Sequence, residues 1–479
     1  MKYNVAIIGG GITGLTVAHR LHSLKQQKNL PINIVLLESA GRLGGVIKSE
    51  IYNDFVIEHG PDAFLTEKKE LQNLLYDLNL NQFLLPTIEA NRQAFIARKN
   101  RLIPLPPGFF LIAPTRLLPF LSSPLFSLIG KLRIAMEIFI PKGTGKTDES
   151  AAAFLRRRFG KELLSQVGQA LVGGIYMADI NLLSTQSALT QFFNLEQEFG
   201  SVIKGLLKST QHNANTASGA RYNLFNTLTN GTQMLVDRLT EKLTDVQIHL
   251  NTPLLRVQRG QTKNWQLQTN NKLFDADAIV FTLPAKLAAQ TLTELDHNLS
   301  IALSTIESSN SIVINLLYKT SDIKRPHRGF GFVVPTKEKK EIVATAFISQ
   351  KFTGRTKPGY EMVRVFLGGQ LAPHLFNRSD QELIDIAQQE ITNYLKIENP
   401  AVQSWVGRCP NGLPFYQVGH KQNVADIENY AHKHPGLFFA GSSYRGVGIP
   451  DCVRDAENTA AALAQLIQER NLQCLSETV

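Results

Sequence analysis

The sequence predicts a multidomain α/β protein whose first domain is a parallel sheet covered by helices. At 479 residues the chain is too long for one ordinary hydrophobic core, so two or three structural units are expected. Val5–Ile8 and Asn33–Leu37 have the unbroken apolar character of buried parallel strands, and a helical pattern to about Leu24 lies between them. These segments form one βαβ unit. Residues 311–369 alternate as several antiparallel strands do, which predicts a second sheet.

Further elements follow from the same periodicities. Helices are expected over Glu149–Gln169, Thr232–Thr244, Gln381–Leu395 and about Asp451–Arg470. Strands are expected at Val246–Leu250, Leu254–Gln258, Asp277–Thr282, Ile312–Tyr318, Phe330–Val334, Val343–Ile348, Met362–Leu367 and Gly436–Ala440. The three consecutive arginines at 156–158 are expected on a solvated helix face.

The composition limits which kinds of fold and binding partner are expected for this protein. A hydrophobic fraction of 43% with 19% charged residues indicates a globular protein, and three cysteines without a CxxC pair predict neither a disulfide framework nor a zinc site. The net charge of +10 fits an acidic small molecule or an anionic membrane surface. Because no dense Lys/Arg stripe is interleaved with aromatic residues, no nucleic-acid partner is expected. The chain enters a strand at once, without a secretory signal pattern, which predicts a cytoplasmic protein.

The turn after the first strand predicts a dinucleotide site. It carries Gly9-x-Gly11-x-x-Gly14 and opens a helix. Gly9 permits the tight turn, Gly11 lets backbone approach a pyrophosphate, and Gly14 lets helix pack on strand. Free N–H groups at the helix start hold the phosphates. Glu38, at the end of the second strand, is expected to accept hydrogen bonds from the ribose hydroxyls.

The residues after Glu38 favour FAD over NAD. Arg42 is placed to reach the pyrophosphate, while Gly44 and Gly45 permit the chain to pass close under a flavin. NAD dehydrogenases do not need this continuation. Alone, Arg42 would be read as a surface arginine; the run around it indicates a flavin site.

A second glycine segment near the other end of the chain closes the predicted site. Gly441 follows a strand, and Gly446, Val447, Gly448 and Ile449 lead into the last helix. A helix N-terminus aimed at the isoalloxazine ring would stabilise the reduced flavin. Two further expectations accompany this segment: Asp451 caps the helix, and Val257 with the turn 282–285 flanks the adenine.

An apolar stretch at 102–130 has two interpretations. Six prolines interrupt it, so it cannot form one spanning helix. It is either a buried helical subdomain or a surface that dips into one leaflet, and we favour the latter because Lys131, Arg133 and Lys142 could meet lipid headgroups. Removing Phe109–Phe126 should then release the protein from lipid without unfolding it.

The motifs in this order resemble protoporphyrinogen oxidases over nearly the whole chain. The similar segments are Gly9–Gly45, Gly60-Pro61-Asp62, Gly173–Tyr176, Asn194–Gln197 with Gly200–Ile203, Gly231–Leu235 and Ala440–Asp455. The resemblance implies a Rossmann-type FAD-binding domain at 1–85, 222–290 and 419–479. It also implies a β-sheet substrate domain at 86–103 and 291–418, and a helical membrane-associating domain at 104–221.

The resemblance also implies a reaction and a site. The reaction is the six-electron oxidation of protoporphyrinogen IX to protoporphyrin IX in heme biosynthesis, with dioxygen reduced to hydrogen peroxide. Gly60 joins the cofactor residues, Gly174 lies near the reacting ring, and Phe366, Val333 and Phe347 line its slot. Arg92 is the candidate propionate partner. The implied partners are the porphyrinogen, dioxygen, an anionic membrane surface that holds the protein peripherally, and a second copy in a homodimer.

Two departures from the family pattern keep alternatives open. Ala94 stands where the family has its propionate-binding arginine, and Met177 stands where relatives often have a small residue. Coproporphyrinogen III oxidation by the same chemistry is therefore an alternative, as is another flavin amine oxidase or carotenoid desaturase. A non-enzymatic alternative is a binding protein like the GDP-dissociation inhibitors, although a protein without flavin has no use for both glycine segments.

Overall fold

The computed structural model describes residues 2–212, 225–261 and 263–476. The expected boundary between residues 221 and 222 lies outside the described residues. The other domain boundaries stay a prediction, although the strands divide between two large sheets as that prediction requires.

The first sheet, which we call the nucleotide-binding sheet, is wholly parallel among the described residues. Its order is Val246–His249, Ile32–Leu37, Tyr3–Ile8, Ala278–Phe281 and Leu437–Phe439. One face is covered by helices Ile12–Lys28, Lys69–Asp77, Gln233–Lys242 and Ile449–Ser476. The other face packs on the strands Leu254–Arg259, Trp265–Thr269 and Leu273–Ala276 and on helices Ala285–Leu292, His297–Ser304 and His420–His432. With both faces covered, its strands are apolar without alternation.

The second sheet, the substrate-domain sheet, contains the alternating segments that the sequence predicts. Its order is Gln403–Pro414, Ser308–Lys319, Tyr360–Gly368, Ile342–Phe347, Gly331–Val333, Ala94–Arg98 and Arg101–Pro104. One pair departs from the expected antiparallel pattern, because Gly331–Val333 runs parallel to Ala94–Arg98. Helix Asp380–Leu395 covers one face, and its first turn is closed by a capping box between Ser379 and Glu382. On the other face, Leu317 and Met362 pack against Phe55 and Ile57 of the strand Phe55–Glu58.

Short elements connect these units. The paired strands are Ser49–Tyr52 with Phe55–Glu58, Phe225–Leu228 with both Phe64–Leu65 and Leu84–Pro86, and Phe109–Phe110 with Ala113–Pro114. Short helices are Asn81–Phe83, Glu89–Asn91, Thr320–Asp322, Thr336–Glu338, Ile348–Lys351, Pro373–Asn377 and Ser442–Arg445.

A helical region separates the halves of the substrate domain in sequence. Its segments are Leu117–Ser122, Leu128–Ala135, Met136–Phe139, Ala151–Phe159, Lys161–Leu163, the π-helical Leu164–Gly173, Gly174–Tyr176, Thr185–Ala188, Thr190–Phe199 and Val202–His212. The single helix expected over Glu149–Gln169 is wrong, because Gly160 has a φ of +92° and ends the first segment. A side chain there would also collide with Arg133.

The expectation of a solvated arginine face is wrong for Arg158. Its side chain is fully buried and pairs with the equally buried Glu137. Glu137 also accepts hydrogen bonds from the Ser201 hydroxyl at 2.5 Å and the Val202 N–H at 2.9 Å. A buried carboxylate needs such donors and a countercharge, so the pair holds three helical segments together.

A second buried ion pair joins the substrate domain to the nucleotide-binding domain. Glu58 accepts from the Thr232 N–H at 2.9 Å and the Ser49 hydroxyl at 2.6 Å. Arg355, from the substrate domain, lies 3.4 Å from Glu58 and donates to the Leu228 carbonyl at 2.9 Å. Both charged side chains are buried.

We expect Arg355→Met to lower the free energy of unfolding by about 3–5 kcal/mol, because it leaves the Glu58 carboxylate buried without its countercharge. Urea denaturation measures the change. The matched control is Lys357→Met: Lys357 pairs with Asp54 on the surface, where a loss of about 1 kcal/mol or less is expected. Equal effects of the two substitutions would contradict the prediction.

Candidate active site

The N-terminal glycine turn has the steric features that the sequence predicts. Gly9 has a φ of +109°, and a Cβ on Gly14 would overlap the Gly9 carbonyl oxygen. At Gly11, by contrast, a Cβ would meet no protein atom within 4 Å. Gly11 therefore borders open space directly in front of the N-terminus of helix Ile12–Lys28, where the backbone N–H groups favour an anion. A pyrophosphate fits this space.

Glu38 is fixed at the carboxyl end of its strand. One carboxylate oxygen accepts from the Gly10 N–H at 2.6 Å, and the other accepts from the Ala40 N–H at 2.7 Å. These bonds hold the carboxylate beside the glycine turn while leaving lone pairs for further donors. The position suits the ribose contact predicted for Glu38.

Arg42 holds its own loop together. Its guanidinium donates to the carbonyls of Ile47 at 2.9 Å and Gly45 at 2.5 Å. The Gly44 N–H donates to the Gly10 carbonyl at 2.8 Å, so this loop lies directly against the first glycine turn. Contact between Arg42 and a pyrophosphate stays a prediction; the geometry shown is that of a loop clamp.

The two distant glycine segments converge. A Cβ on Gly441 would lie 3.1 Å from the Thr13 hydroxyl oxygen, at the start of the first helix. The Gly441 N–H donates to Asp455 at 2.7 Å, which ties the turn to the last helix. Ile12 and Cys452 belong to the same buried core. Residues 441–449, which run from this turn to the first residue of the last helix, are called the flavin loop below.

The last helix begins earlier than predicted. Its first residue is Ile449, and the Gly448 carbonyl accepts from the N–H groups of Asp451 and Cys452 at 3.0 Å each. Asp451 therefore lies within the first turn and is not the cap. Its carboxylate pairs instead with Lys68.

One large cavity of about 1300 Å³ opens beside the flavin loop. Gly446, Val447, Gly448 and Ile449 form one of its walls. The apolar lining of the cavity also includes Phe110, Tyr176, Phe192, Leu206 and Tyr416. Charged side chains lie along it as well: Glu67, Lys68, Lys421, Glu428, Arg445, Asp451 and Arg454. Its volume exceeds the roughly 300–1,000 Å³ of ordinary small-molecule pockets.

The structure separates the predicted slot residues. Val333, Ala344 and Phe366 are direct cross-strand partners and form one row on the face that helix Asp380–Leu395 does not cover. Phe347 lies on the opposite face, where its ring packs against Phe332 with centroids 6.2 Å apart. The prediction for Phe347 is therefore wrong, because side chains alternate between the two faces of a strand.

Gly174 immediately precedes two residues of the cavity lining. It follows the π-helical segment, and a Cβ on it would lie 3.9 Å from Val343, next to the row just described. Its neighbours Ile175 and Tyr176 line the cavity. Met177 then takes a left-handed conformation with a φ of +50° and is buried. Only glycine, which has no Cβ, would adopt this conformation without strain.

A cluster of charged side chains next to Gly60 was not predicted from the sequence. The Arg364 guanidinium donates to the Gly60 carbonyl, pairs with Asp62 at 3.3 Å and lies 5.0 Å from the Phe366 ring centroid. Lys351 pairs with Asp62 at 2.8 Å. Burial opposes ionisation of Asp62, but Lys351 and Arg364 hold its pKa well below the usual range. The sequence feature that could have indicated this cluster is Arg364, the charged residue within the predicted apolar strand Met362–Leu367.

Two further predicted site residues lie away from the surface of the cavity. Arg92 faces Glu89 at 3.6 Å and is not part of the cavity wall. Val257 is fully buried, in a strand paired with Leu267, so none of its surface is open to a cofactor. Periodicity identified its strand, but could not show that a second layer covers it.

Comparisons with known proteins agree with this geometry. Residues 12–464 match the flavin containing amine oxidoreductase family. The chain belongs to this family. It is 33% identical to coproporphyrinogen III oxidase of Bacillus subtilis, over 94% of this chain and 96% of that one. It is 28% identical to human protoporphyrinogen oxidase, over 97% and 98%. A crystal structure of a protein described as a protoporphyrinogen oxidase from Exiguobacterium superposes with a TM-score of 0.85 and 28% identity, covering 97% and 99%.

The cofactor is FAD, and the protein is an FAD-dependent oxidase. Gly11, Glu38 and the flavin loop are the residues that would hold the cofactor. Within residues 2–212, 225–261 and 263–476, no helix combines the length and apolar character needed to cross a bilayer.

Two alanine substitutions test the placement of the pyrophosphate. We expect Gly11→Ala to leave the thermal stability of the FAD-free protein unchanged while weakening FAD binding, because the added methyl group enters space that only the cofactor would use. Gly14→Ala should instead destabilise the FAD-free protein, because its methyl group overlaps backbone. Unfolding temperatures of the FAD-free variants and flavin titrations measure both effects. Full FAD affinity in Gly11→Ala would show that the pyrophosphate lies elsewhere.

Proposed function

We propose that the protein oxidises a porphyrinogen to the corresponding porphyrin in tetrapyrrole biosynthesis. The cavity carries this proposal, because it places a large apolar and aromatic chamber directly against the flavin loop. A tetrapyrrole is flat, apolar in its ring and anionic at its propionates. The apolar wall and the cations along the cavity suit both parts. The relatives reported above have names that describe oxidases of porphyrinogens.

The residues of the cavity serve to bind and orient. When bound, FAD supplies two-electron oxidation, and three rounds remove the six electrons, with dioxygen as the final acceptor giving hydrogen peroxide. Val447 and the aromatic wall hold the ring, and the N-terminus of the last helix favours negative charge beside it. Burial lowers the pKa of His420 to about 4 and raises that of Tyr416 well above its usual value. Neither group therefore exchanges protons near neutrality, and aromatisation needs no strong acid or base.

Four cations line the cavity and are the candidates for propionate recognition. Lys68 and Arg454 share Asp451, while Arg445 pairs with Glu428 and Asp455. Lys421 forms no ion pair with any residue in the described part of the chain. It is exposed at the start of helix His420–His432, where an incoming carboxylate can reach it.

The substrate has two candidates. Protoporphyrinogen IX has two propionates, and coproporphyrinogen III has four. The identity to the Bacillus subtilis coproporphyrinogen III oxidase is 33%, and the identity to the human protoporphyrinogen oxidase is 28%. These observations favour coproporphyrinogen III as the second candidate function.

We expect the protein's flavin to be reduced by a porphyrinogen under anaerobic conditions and to release hydrogen peroxide when air is admitted. Loss of the visible flavin absorbance and a peroxide assay measure the two steps. Protoporphyrinogen IX and coproporphyrinogen III are compared at equal concentrations, and benzylamine tests the amine-oxidase alternative. Reduction by the amine and by neither porphyrinogen would overturn the proposal.

We also propose peripheral attachment to an anionic membrane surface, through a corrected set of residues. Phe109, Phe120 and Phe126 are buried in the core, so removing that stretch would damage the fold. The exposed apolar side chains are Leu118, Leu121, Leu128, Ile129, Leu132, Met136 and Phe139, which we call the apolar patch. Adjacent exposed side chains of this kind mark an interaction surface.

Lys131, Arg133 and Lys142, which the sequence predicts at lipid headgroups, instead donate hydrogen bonds within the protein. The Lys131 ammonium is largely buried and donates to the Leu121 carbonyl at 2.5 Å. Arg133 donates to the carbonyls of Arg157 and Arg158 at 2.7 and 2.9 Å. Lys142 is exposed but donates to a backbone carbonyl at 2.9 Å. Membrane attachment would therefore depend mainly on apolar contact.

We expect Leu128→Ser with Ile129→Ser to weaken binding to phosphatidylglycerol vesicles at least about tenfold per residue, because each exposed side chain would lose its burial in lipid. Vesicle sedimentation measures the partition. The control is Leu255→Ser with Leu273→Ser, two exposed leucines outside the patch. Equal binding by both double variants would exclude the patch.

A further inference from the structure

The Tyr416 hydroxyl closes the short helix inside the flavin loop. It donates to the Ser442 carbonyl at 2.6 Å and accepts from the Gly446 N–H at 2.7 Å. These two groups belong to the first residue of helix Ser442–Arg445 and to the residue that follows it. One hydroxyl therefore fixes both ends of the segment that leads to the cavity wall at Val447.

The Tyr416 ring is held between two other rings. The His420 ring is stacked on it with centroids 4.0 Å apart and an angle of 15°, and the Tyr176 ring centroid is 5.9 Å away. His420 is in turn fixed, since its Nε2 lies 3.0 Å from the Tyr444 carbonyl and donates to it. The stack contains a neutral imidazole at physiological pH, because burial lowers the pKa of His420 to about 4.

The backbone around Tyr416 is fixed to the helical region. The Tyr416 carbonyl accepts from the Ser184 N–H at 2.7 Å, and the Val418 N–H donates to the Leu182 carbonyl at 3.0 Å. Tyr416 is thus placed by backbone hydrogen bonds to the helical region that do not involve the flavin loop, in addition to its ring neighbours. Through its hydrogen bonds to Ser442 and Gly446, the Tyr416 hydroxyl fixes the flavin loop relative to the helical region.

We propose that Tyr416 is a positioning residue whose hydroxyl sets the flavin loop, and with it the isoalloxazine ring, in register with the helical wall of the cavity. The role in orienting flavin against substrate depends on the proposed function. The role in shaping the FAD site does not. The hydroxyl is not a proton donor to substrate, because both of its hydrogen-bonding directions are used within the protein.

Tyr416→Phe tests this assignment because it keeps the ring stack and removes both hydrogen bonds. We expect the Kd for FAD to rise about five- to thirtyfold, as the loss of two hydrogen bonds implies. Titration of the FAD-free protein, followed by quenching of flavin fluorescence, measures it. The matched control is Tyr444→Phe: the Tyr444 hydroxyl is buried in the same loop and makes no hydrogen bond within the described residues, so its Kd should stay within about twofold.

Amide hydrogen exchange separates positioning from general stability. In the FAD-free wild type, we expect the Gly446 N–H to be protected, and in Tyr416→Phe we expect protection to be lost in residues 441–449 while residues 2–37 exchange as before. An unprotected Gly446 in the FAD-free wild type, faster exchange throughout the variant, or unchanged FAD affinity would each overturn the proposal. None of these measurements uses a porphyrinogen, so they stand even if the proposed substrate is wrong.

Discussion

The close approach of the two glycine segments is the constraint on which the rest of the structure depends. Gly441 passes close to Thr13 with a φ of +118°, which disfavours any larger residue, and the strands that deliver the two segments lie in the same parallel sheet. Because the carboxyl ends of parallel strands meet at one edge, Gly9, Glu38 and Gly441 are brought to that edge. A cofactor that spans this edge reaches from the first glycine turn to the flavin loop. The cavity opens beside the flavin loop at one end of this edge.

Buried polar contacts hold those domains at fixed distances from the edge. Glu58 and Arg355 join the substrate-domain sheet to the nucleotide-binding domain, and Arg364 ties the same sheet to Gly60. Tyr416 joins the flavin loop to the helical region. Each of these residues joins segments that are distant in the sequence, and a buried charge or hydroxyl that loses its partner is costly. Such contacts therefore favour one arrangement of the domains over others.

The chemistry needs this arrangement more than it needs reactive side chains. Histidine and tyrosine groups at the cavity are buried and held in their neutral forms, with His420 and Tyr416 both engaged in fixed hydrogen bonds. Oxidation at a flavin requires that the substrate carbon be held against the ring, and the apolar wall and the flavin loop supply that placement. The cations at the cavity can then act on substrate selection without taking part in electron transfer.

The sequence by itself determined the features that depend on neighbouring residues. The roles of Gly9 and Gly14, the position of Glu38 and most strands follow from steric limits and periodicities that act within a few residues. Tertiary structure decided which surface each residue faces. In the folded protein Phe347 faces away from the slot and Val257 is covered. Arg158 and Lys131 are buried. The Arg364 cluster and the Tyr416 contacts are formed by segments that are distant in the sequence. Local pattern shows that a side chain lies on a face or in a turn. Only the packing of distant segments determines what that face meets.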